Sequence, residues 1–240
     1  AYGAAFLTAL DAGSYSGLQA LIYANRNEAK PLNGWVYVPQ LERTQTLASF
    51  RNDDSMFGSD ILPTDFLSFS GSLAELKWNY LGTTYLILPL YEHGALENPG
   101  QKSSDPNYYH VKFGGKASCF PEVQWQIREV HILEGIQKNS TKRAQRRIFY
   151  LDAQTHVPMI WKIYGQNKKL WKIIISAYSS SESHLPENTG TFAPIGTAFS
   201  TIDIQTNRCT TINMLTFINS DEVEIRDFNV ARMTSGKRFR

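Results

Sequence analysis

Across 123–178 the chain alternates polar and apolar positions with period two, the pattern of strands rather than helices. Trp125, Ile127, Glu129, His131 and Leu133 share one parity, while Gln126, Arg128, Val130 and Ile132 share the other. A second run covers 147–151. Asp152, Ala153, Gln154 and Thr155 then form a turn rich in side chains that hydrogen-bond their own backbone, and 157–164 returns as a third strand. Gly165, Gln166 and Asn167 turn the chain into a fourth over 170–178. Large apolar groups fall on both parities, so four successive antiparallel strands are predicted, with little polar surface near their middle. Each face is then covered, or one of them lines a cavity.

The flanks are less regular. Residues 4–10 read as a short helix and 18–24 as a strand; "GWVYVP" from Gly34 is a strand stopped by Pro39, because proline cannot donate to a sheet ladder, and 44–50 is its partner. From 52 the pattern breaks. Met56, Phe57, Ile61, Leu62, Phe66, Leu67 and Phe69 crowd between Gly58, Pro63 and Gly71, where neither a long helix nor a long strand fits. Two helical turns are predicted, one begun by Thr64 and Asp65, the other capped by Ser72 and carrying Leu73 and Leu76. Such a segment suits a lid over an apolar cavity or a permanent plug of the core, and both readings stay open. A strand follows at 78–89, a turn-rich loop at 92–108, a short strand at 109–113, a surface connector at 179–191, and a hairpin of 197–204 with 208–217 around Gln205, Thr206 and Asn207. The basic end, 232–240, is expected to fray.

With 240 residues the chain is within reach of one all-β domain, and a single domain over 1–240 is expected. A formal net charge of +2 argues against a dedicated nucleic-acid binder. No apolar run approaches the roughly 20 residues that span a bilayer, and 1–10 lacks the basic start and apolar stretch of a signal peptide. Cys119 and Cys209 lack the clustered spacing of a zinc site; they form a disulfide in an oxidising compartment or remain two buried thiols.

Candidate chemistry is sparse. Lys138, Lys142, Arg143, Arg146 and Arg147 form a basic run between two strands, either a solvated hairpin tip or a site of attraction for anionic lipid headgroups. No aromatic platform is interleaved with them to stack nucleic-acid bases. Five histidines, His93, His110, His131, His156 and His184, lie far apart; His131 and Glu129 share one strand face at period two, as two ligands or an acid/base pair would, and no third metal ligand is apparent. There is no GxSxG elbow and no P-loop, so catalytic residues, metal and cofactor are all expected to be absent. What remains is apolar area. Trp35, Tyr37, Met56, Phe57, Phe66, Phe69, Trp78, Tyr80, Trp125 and Trp161 supply more aromatic and soft bulk than strand pairing needs and are the candidate ligand-binding set; an ordinary packed core is the competing reading.

"REVHILEG", "RRIFYLDAQT" and "YGQNKKLWKI", in that order, resemble the core of the domain of unknown function 1329 family, Gram-negative envelope proteins related in fold to the carriers that sort outer-membrane lipoproteins (LolA/LolB-like). "GWVYVPQLERT", "SDILPTDFLSFSGSLAELKWNYLG" and "STIDIQTNRCT" resemble its other blocks, so the likeness covers most of the chain from Asn33 onward. Gln40, Leu41, Glu42 and Arg43 stand where the resemblance leads one to expect a glycine and adjacent arginines, so a role tied to that basic pair does not transfer. The resemblance implies a curved antiparallel sheet forming an incomplete β-barrel with short helices over its mouth. It also implies an exported precursor, with a signal peptide and opening strands upstream of Ala1, acting in the periplasm or at the periplasmic face of the outer membrane. The expected partner is a lipid, a lipoprotein acyl chain or another hydrophobic molecule, handled without catalysis, with an envelope transporter and peripheral membrane contact as further partners and no nucleic acid. The alternative is a protein-interaction module of an envelope export assembly.

Overall fold

Strands dominate the structure, a computed structural model that describes residues 3–10, 13–25, 27, 30, 33–46, 55–65, 68–103, 105–139, 141–218 and 224–234. They belong to two compact units. The first comprises Ala1–Met56, Leu62–Glu75 and Asn219–Arg240, the second Phe57–Ile61 and Leu76–Ile218.

In the first unit β1 (Gly3–Thr8), β2 (Gln19–Ala24), β3 (Asn33–Val38) and β4 (Arg43–Thr46) form an antiparallel meander in chain order. The helix expected over 4–10 is therefore a strand. Gly3 to Thr8 pair one by one with Ala24 to Gln19, and that ladder outweighs the weak local helix preference of alanine and leucine. Gly13 and Gly17, at φ +55 and +84, make the turn between the two strands. Along β3, Gly34, Val36 and Val38 are buried, while Trp35 and Tyr37 on the opposite face are half-buried. β3 stops at Pro39 as expected, in a 3-10 turn spanning Pro39–Leu41. A short helix, α1 (Val230–Thr234), packs on β2, β3 and β4 and buries Met233. The two predicted helical turns appear in shifted form: one as Pro63–Asp65, with Phe66 outside the described residues, the other as Leu73–Glu75, with Leu76 already in a strand. Residues 47–50 of the expected fourth strand and 235–240 of the basic end lie outside the described residues.

The second unit is built on β5 (Leu76–Leu88), which leads through β6 (Leu90–Tyr91), a hairpin of β7 (Pro99–Lys102) with β8 (Tyr109–Val111), and the small pair β9 (Phe113–Gly114) and β10 (Phe120–Pro121). The predicted run of strands follows as β11 (Gln126–Gln137), β12 (Ala144–Asp152), β13 (Pro158–Gly165) and β14 (Leu170–Ser180), then the hairpin β15 (Pro194–Asp203) and β16 (Arg208–Asn213). Their order is β5-β11-β12-β13-β14-β15-β16, antiparallel throughout, with β6 added parallel to β14. Among the described residues β5 and β16 are ends that do not meet, so the sheet is an incomplete barrel.

Turn chemistry fixes this register. Asp152 Oδ2 accepts the Thr155 amide at 2.8 Å and its hydroxyl at 2.9 Å; Asn167 Oδ1 accepts the Lys169 amide at 3.0 Å; Asp203 Oδ1 accepts the amides of Gln205 and Thr206 at 2.9 and 3.0 Å. Bulges bend the strands between the turns. In β5, Gly82 pairs with Ile132 and Tyr80 with Leu133, leaving Leu81 as the extra residue; Gly82 takes φ +106, a setting L residues avoid.

The excursion between β6 and β11 packs on one face at the β14–β15 end, where Tyr91, Val111, Ala177 and Ala198 form a buried cluster. Asn213 pins it by accepting the Val111 amide at 2.8 Å and donating to the Val111 carbonyl at 3.1 Å. Cys119 and Cys209 are joined in a disulfide across the same face, with Cα atoms 5.9 Å apart.

The expectation of little polar surface at mid-sheet is corrected. Glu134 on β11 accepts from Asn79 Nδ2 at 2.8 Å and from Arg146 on the neighbouring strand. Lys172, only 1% exposed, donates to Asp203 Oδ2 at 2.8 Å, and the Trp171 indole donates to the same oxygen at 2.9 Å. Lys172 and Asp203 are buried as an opposite pair, which is how ionised groups survive there, while Arg146 reaches Glu134 from a partly exposed position. The connector expected on the surface at 179–191 is likewise part of the interior at Ser181, Leu185 and Asn188.

Candidate functional site

One face of the β5–β13 half of the sheet carries an aromatic row. Gly135 on β11 sits between Trp78 on β5 and Arg147 on β12 in the ladder. A Cβ there would lie 3.1 Å from the Trp78 ring, so the glycine lets the indole lie across its strand. The ring thereby reaches Phe149, at 5.8 Å between centroids, and Phe149 meets Trp161 at 6.3 Å. Trp161 is closed in at 1% exposed, whereas Trp78 is half-buried.

The bulge at Leu81 extends this row. Its extra residue brings even-numbered Trp78 and Tyr80 to the same face as odd-numbered Tyr85 and Ile87. Opposite them on β11 stand Leu133, Glu129 and Ile127. Tyr80, Tyr85, Ile87 and Ile127 are 60%, 69%, 59% and 74% exposed, an apolar stripe in water along the sheet's edge. A polar step between Tyr80 and Tyr85 divides it, made by Thr83 and the facing His131, with Glu129 beside Tyr85; His131 Nδ1 lies 3.2 Å from the Tyr80 hydroxyl, and His156 stacks on His131. Glu129 shares the face, as the period predicted, but His131 takes its contacts from Tyr80 and His156.

Of the expected ligand-binding set, then, Trp78, Tyr80 and Trp161 come together. Trp125 precedes β11 and donates its indole N–H to the Pro121 carbonyl at 3.2 Å. Trp35, Tyr37, Met56 and Phe69 belong to the first unit, where Trp35 meets Tyr23 edge-on at 5.4 Å and Met56 is buried. Phe66 and the Phe57 side chain lie outside the described residues. Sequence reasoning missed Phe149, Tyr85, Ile87 and Ile127; alternation within β5, β11 and β12 marked all four as sheet residues but gave no sign which face stayed open. Two open depressions lie within the second unit. One, of ≈ 410 Å³, is lined by Asp60, Ala117, Asn207, Arg208 and Thr210 beside the disulfide; the other, also ≈ 410 Å³, by Gly100, Gln101, His110, Lys112 and Asn213.

A second cluster, absent from the sequence reading, gathers around His93. Tyr91 Oη and His93 Nδ1 are 2.8 Å apart, Tyr108 stacks on the imidazole at 4.4 Å, and His184 lies 5.4 Å away. The His93 amide donates to the hydroxyls of Ser179 and Ser183, at 3.1 and 3.2 Å. His184 Nδ1 meets Asn188 Nδ2 at 2.9 Å, while its buried Nε2 has no hydrogen-bond partner among the described residues. Burial pushes His93 down to about 4 against a hydrogen bond with the Tyr109 backbone, and burial with the neighbouring His93 pushes His184 down to about 4 as well. Burial also raises Tyr91 and Tyr108. Both histidines are therefore neutral when folded, and unfolding lets them bind protons at any pH between about 4 and 6.5. Stability contributed here is complete above about 6.5 and is lost as pH falls toward 4. The expected result is a urea midpoint that drops over that interval and drops less in His184→Gln; parallel profiles would contradict it.

The basic run divides. Arg147 is 3% exposed and Arg146 is ion-paired with Glu134, so these two do not belong to a solvated tip. Arg143 lies over the Trp171 ring at 4.0 Å. Among the described residues no group of three or more His, Cys, Asp or Glu side chains could hold a metal ion, and no helix is long and apolar enough to cross a membrane.

An open antiparallel sheet of long strands with one aromatic face and few, short helices places the chain in the class of mainly β, incomplete-barrel proteins. More particularly, it belongs to the family described as protein of unknown function (DUF1329), whose model matches residues 11–234. A crystal structure of a putative outer membrane lipoprotein-sorting protein domain from Vibrio parahaemolyticus is similar with TM-score 0.62 and 15% identity, over 95% of this chain and 76% of that one. A DUF1329 family protein from Desulfovibrio piger is similar with TM-score 0.58 and 13% identity, over 95% of this chain and 75% of that one. At such identities the shared property is the fold. No curated protein matches the sequence.

Proposed function

We propose that this protein binds a hydrophobic molecule, a lipid or the acyl chain of a lipoprotein, on the aromatic face of its open sheet, in the periplasm or at the periplasmic face of the outer membrane. The observation that carries the reading is the stripe of Tyr80, Tyr85, Ile87 and Ile127, more than half exposed at each position and leading through Tyr80 to Trp78, Phe149 and Trp161. Each methylene laid against such a surface contributes about 0.8 kcal/mol, so a hydrocarbon chain binds there without a polar anchor or a catalytic group. The fold shared with a putative lipoprotein-sorting domain supports the same reading.

Native mass spectrometry of protein released gently from cell envelopes is the test. Adducts with lipid masses are expected, and Ile127→Asp with Tyr85→Asp should cut their fraction at least about tenfold, since each buries a charge against the guest. A clean apo mass in every preparation would overturn the proposal. The second reading is a protein-interaction module without ligand. It is favoured by β5, which among the described residues is paired on one side only and so presents thirteen residues of edge for strand addition. An apo mass accompanied by a stable protein adduct would support it.

A further inference from the structure

Charge in the second unit is sorted along the strand direction. The turns joining β11 to β12, β13 to β14 and β15 to β16 all lie at one end of the sheet, because these strands alternate in direction. They carry Lys138, Lys142, Arg143, Lys168, Lys169 and Arg208, and residues 138–143, 166–169 and 204–208 contain no Asp or Glu. At the opposite end the connections 152–157 and 180–194 carry Asp152, Glu182 and Glu187 and no Lys or Arg, whereas the long excursion from β5 to β11 mixes both signs.

The three basic turns are knit into one surface. Gln166 Nε2 donates to the Thr141 carbonyl at 3.2 Å, Arg143 stacks on Trp171, and the Ile204 amide donates to the Trp171 carbonyl at 2.9 Å. Two aliphatic side chains project among the cations, Ile136 at 38% and Ile204 at 45% exposed. Lys168, Lys169 and Arg143 are exposed, and Arg208 reaches Asp60 only at 3.5 Å, with 62% of its side chain in water.

We infer that this end of the sheet docks on a bilayer of anionic phospholipid, strands upright, with the lysines among the headgroups and Ile136 and Ile204 entering the interface. Flexible point charges interspersed with single aliphatic residues match a fluid, sequence-free anionic plane. A nucleic acid would instead call for stacking rings among the cations. Exposed Glu182 and Glu187 at the far end are repelled by the same plane, so the field favours one orientation. This docking is independent of any guest on the aromatic face.

Co-sedimentation with vesicles tests it, using the full chain and no added ligand. Binding to phosphatidylcholine vesicles containing phosphatidylglycerol is expected, with little binding to phosphatidylcholine alone and loss at high salt. Lys168→Gln with Lys169→Gln should lower the partition coefficient about thirtyfold, each cation near the surface contributing about fivefold. Lys102→Gln with Lys112→Gln, outside the basic turns, should leave it within about twofold. Equal binding to both vesicle types, an equal effect of the two double variants, or tighter binding to single-stranded DNA than to vesicles at the same salt would each overturn the inference. None of these outcomes bears on the lipid adducts read by native mass spectrometry.

Discussion

Cys209→Ser is expected to lower the free energy of unfolding by about 4 kcal/mol, among the largest losses any single substitution in this chain can produce. The cross-link joins residues 90 apart, and a loop of that length loses much conformational freedom in the unfolded chain when its ends are tied. In the folded state it clamps the excursion between β6 and β11 onto β16, with Cys119 only 2% exposed. Asn213, bonded to both backbone groups of Val111, still holds that excursion when the sulfur bridge is gone. The variant should therefore fold to the same structure and unfold earlier, with a steeper urea dependence because its unfolded chain exposes more surface. Wild-type protein under reductant should match it. Coincident midpoints for oxidised, reduced and substituted protein would refute the assignment, as would two free thiols in the unreduced denatured chain.

Asp203→Ala should destabilise the protein by about 3–5 kcal/mol, while Lys172→Met costs well under half as much. Both groups are almost wholly buried, yet their surroundings differ. Removing the carboxylate strands the Lys172 ammonium, the Trp171 indole N–H and the turn amides of Gln205 and Thr206 together. Removing the lysine leaves the carboxylate three of those donors. The same arrangement sets a pH dependence. Burial tends to raise the Asp203 carboxyl, but Lys172, the Thr206 amide and Trp171 outweigh it and hold the group below the ordinary carboxylate value of 3.8. Its contribution is thus complete above that value and is lost as pH falls through the lower folded one. Denaturant titrations of both variants against wild type measure the asymmetry; equal losses would show that the ion pair alone, and not the indole and turn amides, carries the energy.

The strands 126–137 to 170–180 were readable from the sequence within a few residues, because alternation and turn chemistry agree there: Asp152 and Asn167 announce their turns by bonding their own backbone. The first strand was not. "GAAFLT" has no strand period, and only its partner "QALIYA" decides its conformation. Lys172 reads as an outward-facing residue between Trp171 and Ile173, and its burial depends on a carboxylate 31 positions away. Half of the candidate site was hidden for a geometric reason. A bulge leaves no mark in a hydropathy pattern, so strict parity sends Trp78 and Tyr80 to the face opposite Tyr85 and Ile87, although all four share one. Contacts such as His93 with His184 are likewise set by tertiary folding alone.

The missing side chain at Gly135 leaves the Trp78 indole lying across a neighbouring strand, half in water and within reach of Phe149. Such a ring is a natural optical gauge: hydrocarbon settling over it would strip away solvent, shift its emission to the blue and shield it from iodide. The protein thus carries its own indicator of occupancy where the exposed stripe runs into the buried aromatic row.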